Sequence, residues 1–349
     1  MKSNNTPSSF PPARILSLLL CVLVVLLFAA GCSDAPEKTV VNVLPAGSLL
    51  GPMETMEAEY EALHPDIDIR SEGHGSIQCI RQVTDLHRDF DVVIVADESL
   101  IPDMMYIPRA DGNGTYATSY TPVARNEMVI AYTDQSRYAD EMTEENWMEI
   151  LRRPAVRTGI SNPMLDAAGY RGIMVLLLAE NYYETDGLFD TVVAQNLAYP
   201  PEVIRNGTTA EVILPETMKT SGPGLVIRDG SVYLLSLLEA GGIDYAFEYR
   251  SVAEEHGLHY ICLPPEIDLS SPAYADRYDD VTVNLGFQRF TSIGSERTGR
   301  PIVYGITVPT TASHPDAGED FAAFVTASMA AGYDTWPRPY AETDVMSTS

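Results

Sequence analysis

Hydrophobic and polar positions alternate between two periods along this chain. Residues 40–44, apolar apart from Asn42, read as a buried strand that ends in Pro45-Ala46-Gly47-Ser48. Beyond it Met53, Met56, Tyr60 and Leu63 recur at helical spacing, and His64-Pro65 stops that helix. Residues 67–70 predict a second strand, Gly73-His74-Gly75-Ser76 a turn, Ile77, Ile80 and Val83 the inward face of another helix, and 92–95 a third strand. That order is the signature of a parallel sheet covered by helices.

A second alternating unit starts at the strand-like stretch 126–133. It continues with a helix at 147–151, a strand at 156–160 and a long helix at 168–182 that opens just after Asp166. Residues 184–219 read as an irregular segment wrapping the outside of this unit, followed by a strand at 225–228, a helix at 234–238 and a strand at 243–249. One more strand, 301–309, and a helix at 316–330 with Phe321, Phe324 and Val325 inward complete the pattern. Internal repeats and long low-complexity segments are absent. The elements predict an α/β fold of two lobes, with mixed, mostly parallel sheets, helices on both faces and a ligand cleft that hinge closure could seal. The expected division is 40–124 for the first part of lobe I, 125–249 for lobe II, and 250–349 for a return segment completing lobe I, with 301–309 as a candidate hinge strand.

The amino terminus follows a different pattern. Lys2 and Arg14 precede an apolar run, 15–30, broken only by Ser17, and Ala29-Ala30-Gly31 leads directly into Cys32. At about 16 residues the run is short of the roughly 20 needed to cross a bilayer core, and it reads as an export signal (1–32) whose lipobox makes Cys32 the lipidated residue; 33–39 is a linker. An uncleaved membrane anchor is the alternative. Either way the globular part is expected outside the cell, anchored to the outer face of the membrane.

The formal charge of −27, with lysine only at positions 2, 38 and 219, excludes nucleic acid or an anionic lipid surface as partner. Any anion must therefore be held by local dipoles against the global field. Cys79 and Cys262 read as buried small hydrophobes, although an exported compartment would permit a bridge between them.

Two turns carry the candidate chemistry. Ser48 and Ser76 each follow a strand, sit behind a glycine (Gly47, Gly75) and begin a helix. A helix start offers unpaired N–H groups and partial positive charge, so two converging turns make an anion site; singly, either serine could be a helix cap. Asp166 before the long helix is open to the same two readings, and Tyr249 alone reads as packing. The Gly73-His74-Gly75 turn lacks the third glycine of a dinucleotide fingerprint, and neither a phosphate-loop lysine nor a Gly-x-Ser-x-Gly elbow occurs. His256 and His259, beside Glu254 and Glu255, read as a surface cluster rather than a metal site. Nothing forms a catalytic constellation; an exported hydrolase built on Asp166 would lack a second group in recognisable spacing.

Several stretches match one family in order along the chain: Ala46-Gly-Ser-Leu49; Gly75-Ser76 with Ile80-Arg-Gln-Val-Thr84; Ala96-Asp97 with Met104-Met-Tyr106; Glu145-Asn-Trp-Met-Glu-Ile-Leu-Arg-Arg-Pro154; Ser161-Asn-Pro163 with Gly169-Tyr-Arg171; Ile243-Asp-Tyr245 with Tyr249-Arg-Ser-Val-Ala253; 264–272; and Pro301-Ile-Val-Tyr-Gly-Ile-Thr307. By these the chain resembles the archaeal-type tungstate/molybdate-binding proteins that serve ABC importers. The resemblance implies a two-lobed periplasmic-binding-protein fold of type II, no enzyme activity, no cofactor, and a monomer that binds tungstate or molybdate and docks on a permease and ATPase complex. It implies oxyanion binding at Gly47, Ser48, Gly75, Ser76 and Tyr249, and a carboxylate at Asp166 that bonds the tungsten or molybdenum centre, a hard ion suited to oxygen donors. The family's second carboxylate, a glutamate at the start of a later helix, falls here on Ser231, and a nearby acidic position on Tyr233. The chain from Tyr333 onward also departs from the family pattern. Three outcomes follow for Ser231: a five-coordinate centre, a water or the serine hydroxyl in the sixth place, or a plain tetrahedral anion such as sulfate or phosphate held by hydrogen bonds.

Overall fold

The structure, a computed structural model, describes residues 38–286, 296–333 and 335–341. The expected signal, its lipobox and Cys32 lie outside the described residues. The first unit folds as β1 (Thr39–Pro45), α1 (Leu50–Leu63), β2 (Ile67–Ser71), α2 (Ser76–Thr84), β3 (Val92–Val95) and α3 (Leu100–Met105). β4 (Thr121–Arg125) then leads through Asn126 and Glu127 into β5 (Met128–Tyr132), α4 (Trp147–Leu151), β6 (Thr158–Ser161), α5 (Ala167–Tyr182) and α6 (Leu188–Val192). A hairpin of β7 (Glu202–Asn206) and β8 (Thr209–Ile213) precedes β9 (Leu225–Arg228), α7 (Val232–Glu239), β10 (Tyr245–Tyr249), α8 (Arg250–Glu255) and β11 (His259–Cys262). Last come α9 (Ala275–Tyr278), β12 (Val281–Asn284), β13 (Glu296–Thr298), β14 (Val303–Thr307), α10 (Pro315–Ala331) and β15 (Arg338–Pro339).

Three sheets organise these elements, in the orders β15-β4-β14-β3-β1-β2, β11-β5-β10-β6-β9 and β13-β12-β8-β7. Every residue of β3 is buried, as its Val-Val-Ile-Val run requires of a strand with neighbours on both sides and helices on both faces. β1 and β3 are parallel, as are β10, β6 and β9, and these parallel strands carry the loops of interest. The sheets are more mixed than strand–helix alternation predicts, because β14, β4 and β5 arrive by crossing between sheets and pair antiparallel. α5 is buried along nearly its whole length, which its apolar sequence Ala-Ala-Gly-Tyr-Arg-Gly-Ile-Met-Val-Leu-Leu-Leu anticipates: the five-stranded sheet packs on it and so does β12 of the four-stranded sheet.

Four expectations are corrected. Leu63 is 69% exposed at the end of α1, one turn beyond the helix's last core contact at Tyr60. Phe324 is only partly buried, with Phe321 taking the core position against Tyr60. Segment 184–219 is not irregular: it holds α6 and the β7–β8 hairpin, whose exposed Ile204 and Ile213 obscure the alternation of an edge ribbon. Residues beyond 249 do not return directly to the first sheet, since β11 pairs with β5 and β12 with β8; the chain rejoins the six-stranded sheet only at β14. The final β15 docks on β4, with Arg338 paired to Glu127 at 3.2 Å.

Candidate functional site

The loops that leave the carboxyl ends of β1, β2, β6, β9 and β10 face one another across the two large sheets, the position where α/β folds bind ligands. They enclose a small cavity of about 10 Å³, lined by Gly47, Ser48, Gly73, His74, Gly75, Asp166, Gly230, Ser231, Val232, Tyr233 and Tyr249. Of the residues singled out in the sequence, only Ser76 is missing from this lining; it lies fully buried behind Gly75.

The glycines permit the approach of the two faces. A Cβ on Gly75 would stand 2.5 Å from the Leu165 carbonyl oxygen and 2.7 Å from the Asp166 Cβ, and one on Gly47 would meet Val232 at 3.3 Å. The Gln78 N–H, in the first turn of α2, donates to the Leu165 carbonyl at 3.0 Å, so the faces are in contact. The Gly47 N–H donates to His74 at 2.8 Å, so this residue's contribution to the cavity is its lack of a side chain.

Neither serine is a cap. The cap position of α2 is Gly75, and Ser76 Oγ instead accepts the Ala96 N–H at 2.9 Å. Ser48 Oγ lies 2.8 Å from the Tyr304 hydroxyl, which in turn accepts Asn126 Nδ2 at 3.1 Å. Asn126 Oδ1 accepts the Glu127 and Ser251 N–H groups, which fixes its amide with the nitrogen toward Tyr304. The Ser48 and Tyr304 hydroxyls share one hydrogen bond in which either can donate. At Tyr249 the direction is set: its oxygen accepts Arg171 Nη1 at 2.8 Å, which leaves its proton for another acceptor. A donor behind the Tyr249 oxygen thus makes its hydroxyl a donor on the cavity wall, suited to an anion.

Asp166 occupies the cap position of α5 without capping it. Its Oδ2 reaches across to accept the Ser231 N–H at the start of α7, at 2.9 Å. Burial raises its pKa above the usual carboxylate value; the Ser231 N–H, the Ser161 hydroxyl and the Ala168 and Ser76 N–H groups work the other way. Three helix starts therefore favour negative charge at one place, which offsets the repulsion of an acidic chain.

Two buried ionisable groups beside the site escaped the sequence analysis. Arg171 is 1% exposed and lies behind Tyr249; its place in the Gly-Tyr-Arg triplet, two residues past Gly169, was the available signal. Glu248 is fully buried at the end of β10, with Oε1 accepting the Tyr249 N–H at 2.8 Å. Burial pushes its carboxyl up to about 8, opposed by the Tyr249 N–H and the Ser231 hydroxyl and reinforced by Asp166, so it stands as a neutral acid at pH 7. An acidic residue inside an apolar strand, Tyr-Ala-Phe-Glu-Tyr, was the overlooked sign.

Other candidates separate from the site. Cys79 and Cys262 are both free, with Cys79 buried under Pro45 and His74. His259 pairs with Asp134 at the surface, and no group of three or more His, Cys, Asp or Glu among the described residues could hold a metal ion. No helix among the described residues is long and apolar enough to cross a membrane.

The chain is 42% identical over 287 residues to an uncharacterized solute-binding protein of Methanoculleus marisnigri, covering 82% of this chain and 77% of that one. It is 38% identical over 323 residues to the molybdate/tungstate-binding protein WtpA of Thermococcus kodakarensis (88% and 86% covered) and 37% identical over 320 residues to that of Pyrococcus abyssi (89% and 88%). Among solved structures, the sulfate-binding protein SubI of Mycobacterium tuberculosis H37Rv aligns at 12% identity with a TM-score of 0.51 over 88% of each chain, a likeness of fold alone. These relatives are binding proteins and not enzymes, and the model of bacterial extracellular solute-binding proteins matches residues 41–332. On that match and those identities, the chain belongs to the bacterial extracellular solute-binding protein family, with its two-lobed α/β fold.

Proposed function

We propose that this protein is an extracytoplasmic receptor that captures tungstate or molybdate in the cleft and delivers it, as a monomer held to the outer face of the membrane by a lipid on Cys32, to the permease and ATPase complex of an ABC importer. The observation that carries the reading is the donor set: Arg171 stands behind the Tyr249 oxygen, and three helix starts meet at Asp166. The names of the relatives from Thermococcus kodakarensis and Pyrococcus abyssi support the choice of ligand. Closure would swing the lobes about the crossings at 125–128 and 299–302, and docking would follow closure.

Recognition needs no catalysis. A tetrahedral anion with shorter bonds to its centre, such as sulfate, would leave some donors unpaired, at roughly 1–3 kcal/mol each. Ser231 at the start of α7 favours a second reading, in which the site takes sulfate or phosphate purely by hydrogen bonds, because only Asp166 lines the cavity as a carboxylate. Isothermal titration of the chain from residue 33 with tungstate, molybdate, sulfate and phosphate separates the two. Tight binding of the first pair with weak sulfate supports the metal oxyanions; binding of sulfate or phosphate alone would replace them.

A further inference from the structure

Arg171 is a fully buried cation that does not line the cavity. Burying a guanidinium is costly unless its hydrogen bonds and charge are answered. Here Nη1 donates to the Ala96 carbonyl at 2.7 Å and to the Tyr249 oxygen at 2.8 Å, while Nη2 lies 3.6 Å from Asp97 Oδ2. Asp97 is also bonded by the Tyr170 hydroxyl at 2.6 Å and the Ser99 hydroxyl at 2.7 Å. Burial opposes the charge on Arg171, and the Tyr249, Asp97 and Tyr170 oxygens outweigh it.

These contacts join the two lobes. Arg171 and Tyr249 belong to α5 and β10, packed on and within the five-stranded sheet; Ala96 directly follows β3 of the six-stranded sheet, and its N–H donates to Ser76 Oγ. One nitrogen therefore addresses a hydroxyl of one lobe directly and the backbone of the other at the Ala96 carbonyl, one residue's backbone away from the N–H that meets Ser76 Oγ.

Resting on the oxyanion assignment above, we propose that Arg171 is the positioning residue of this site: its guanidinium ties the Tyr249 phenol of one lobe to the Ala96 carbonyl of the other, and so fixes where the Tyr249 donor stands on the cavity wall. The bond it gives to the phenol oxygen also directs the phenol proton toward the ligand and strengthens it as a donor. Lysine, a point charge on a flexible stem, would not reproduce that geometry. The competing account makes Arg171 only the neutralising partner of Asp97; it would then matter to stability and not to Tyr249.

A double-mutant cycle separates these accounts. Molybdate is titrated calorimetrically into the chain from residue 33 as wild type, Arg171→Lys, Tyr249→Phe and the double variant, with thermal melts of each. The single variants are expected to weaken binding roughly 10- to 100-fold, and the double variant to fall within about threefold of the weaker single. Losses that multiply would overturn the proposal while leaving the oxyanion assignment standing. A wild type that takes up neither molybdate, tungstate, sulfate nor phosphate would instead remove the assignment and the proposal with it. Should Arg171→Lys lose its cooperative melt, side-chain ¹⁵N spectra of arginine-labelled wild type and Tyr249→Phe decide: slowly exchanging guanidinium signals must shift on adding molybdate to the wild type and stay in place in Tyr249→Phe. Equal shifts in both would overturn the proposal.

Discussion

Gly75→Ala tests the contact that closes the site. The added Cβ would stand 2.5 Å from the Leu165 carbonyl oxygen, 2.7 Å from the Asp166 Cβ and 2.9 Å from the Leu165 carbonyl carbon. Ordinary contact begins near 3.4 Å, and the obstacles are backbone and a first side-chain carbon, so no rotamer change relieves the clash. The faces must part by about 1 Å at this point, which stretches the bond of 3.0 Å from Gln78 N–H to Leu165 beyond hydrogen-bonding range. The same displacement carries the start of α2 away from Asp166 and Ser231. Losing one charge-assisted hydrogen bond to a bound anion costs about 1.5–3 kcal/mol, or roughly 10- to 100-fold in affinity. Calorimetric titration with molybdate should show that loss, and Gly222→Ala, with nothing within 4 Å of its Cβ, should bind as wild type. Unchanged affinity in Gly75→Ala would refute the claim that these two faces meet in the ligand-bound protein.

Glu248→Gln should change how stability depends on pH. A carboxyl raised from 4.5 to about 8 keeps its proton in the folded chain where the unfolded chain has lost it, so its contribution is full below about 4.5 and declines as pH rises toward 8. The stability of wild type relative to Glu248→Gln should therefore fall across that window in denaturant titrations; a flat difference contradicts a buried acid. Tyr304→Phe removes the hydroxyl that orients Ser48 and should weaken molybdate binding about 3- to 10-fold by calorimetry, with little change in melting temperature. Phe321→Ala empties a fully buried ring site beside Tyr60, far from the cavity; it should cost about 3–5 kcal/mol in denaturant unfolding and leave affinity unaltered. Ser231→Glu places another carboxyl near Asp166 and Glu248, and should weaken sulfate more than molybdate, since only a metal centre can accept it as a ligand.

Local periodicity identified β1, β2, β3, α2, α5, β9 and α10 because each buries a face that its own sequence spells out. It missed β7 and β8, whose residues are largely exposed and gain order only by pairing with β12. The same limit applies to the path of the chain: nothing within His259–Cys262 shows that it pairs with β5, since partner choice depends on what the rest of the molecule leaves open.

At the site, the sequence by itself determined which backbone turns could meet an anion. Glycine before serine at the end of a strand is a local property, and so is aspartate before a long helix. The chemistry of those side chains was decided by tertiary structure. Tyr249 donates because Arg171, 78 residues away, lies behind its oxygen; Ser48 is held by Tyr304 across 256 residues, and Ser76 is turned to the Ala96 N–H rather than to the cavity. Hydrogen-bond direction and the charge of buried acids such as Glu248 depend on neighbours and exclusion from water, and these exist only once distant segments have packed together.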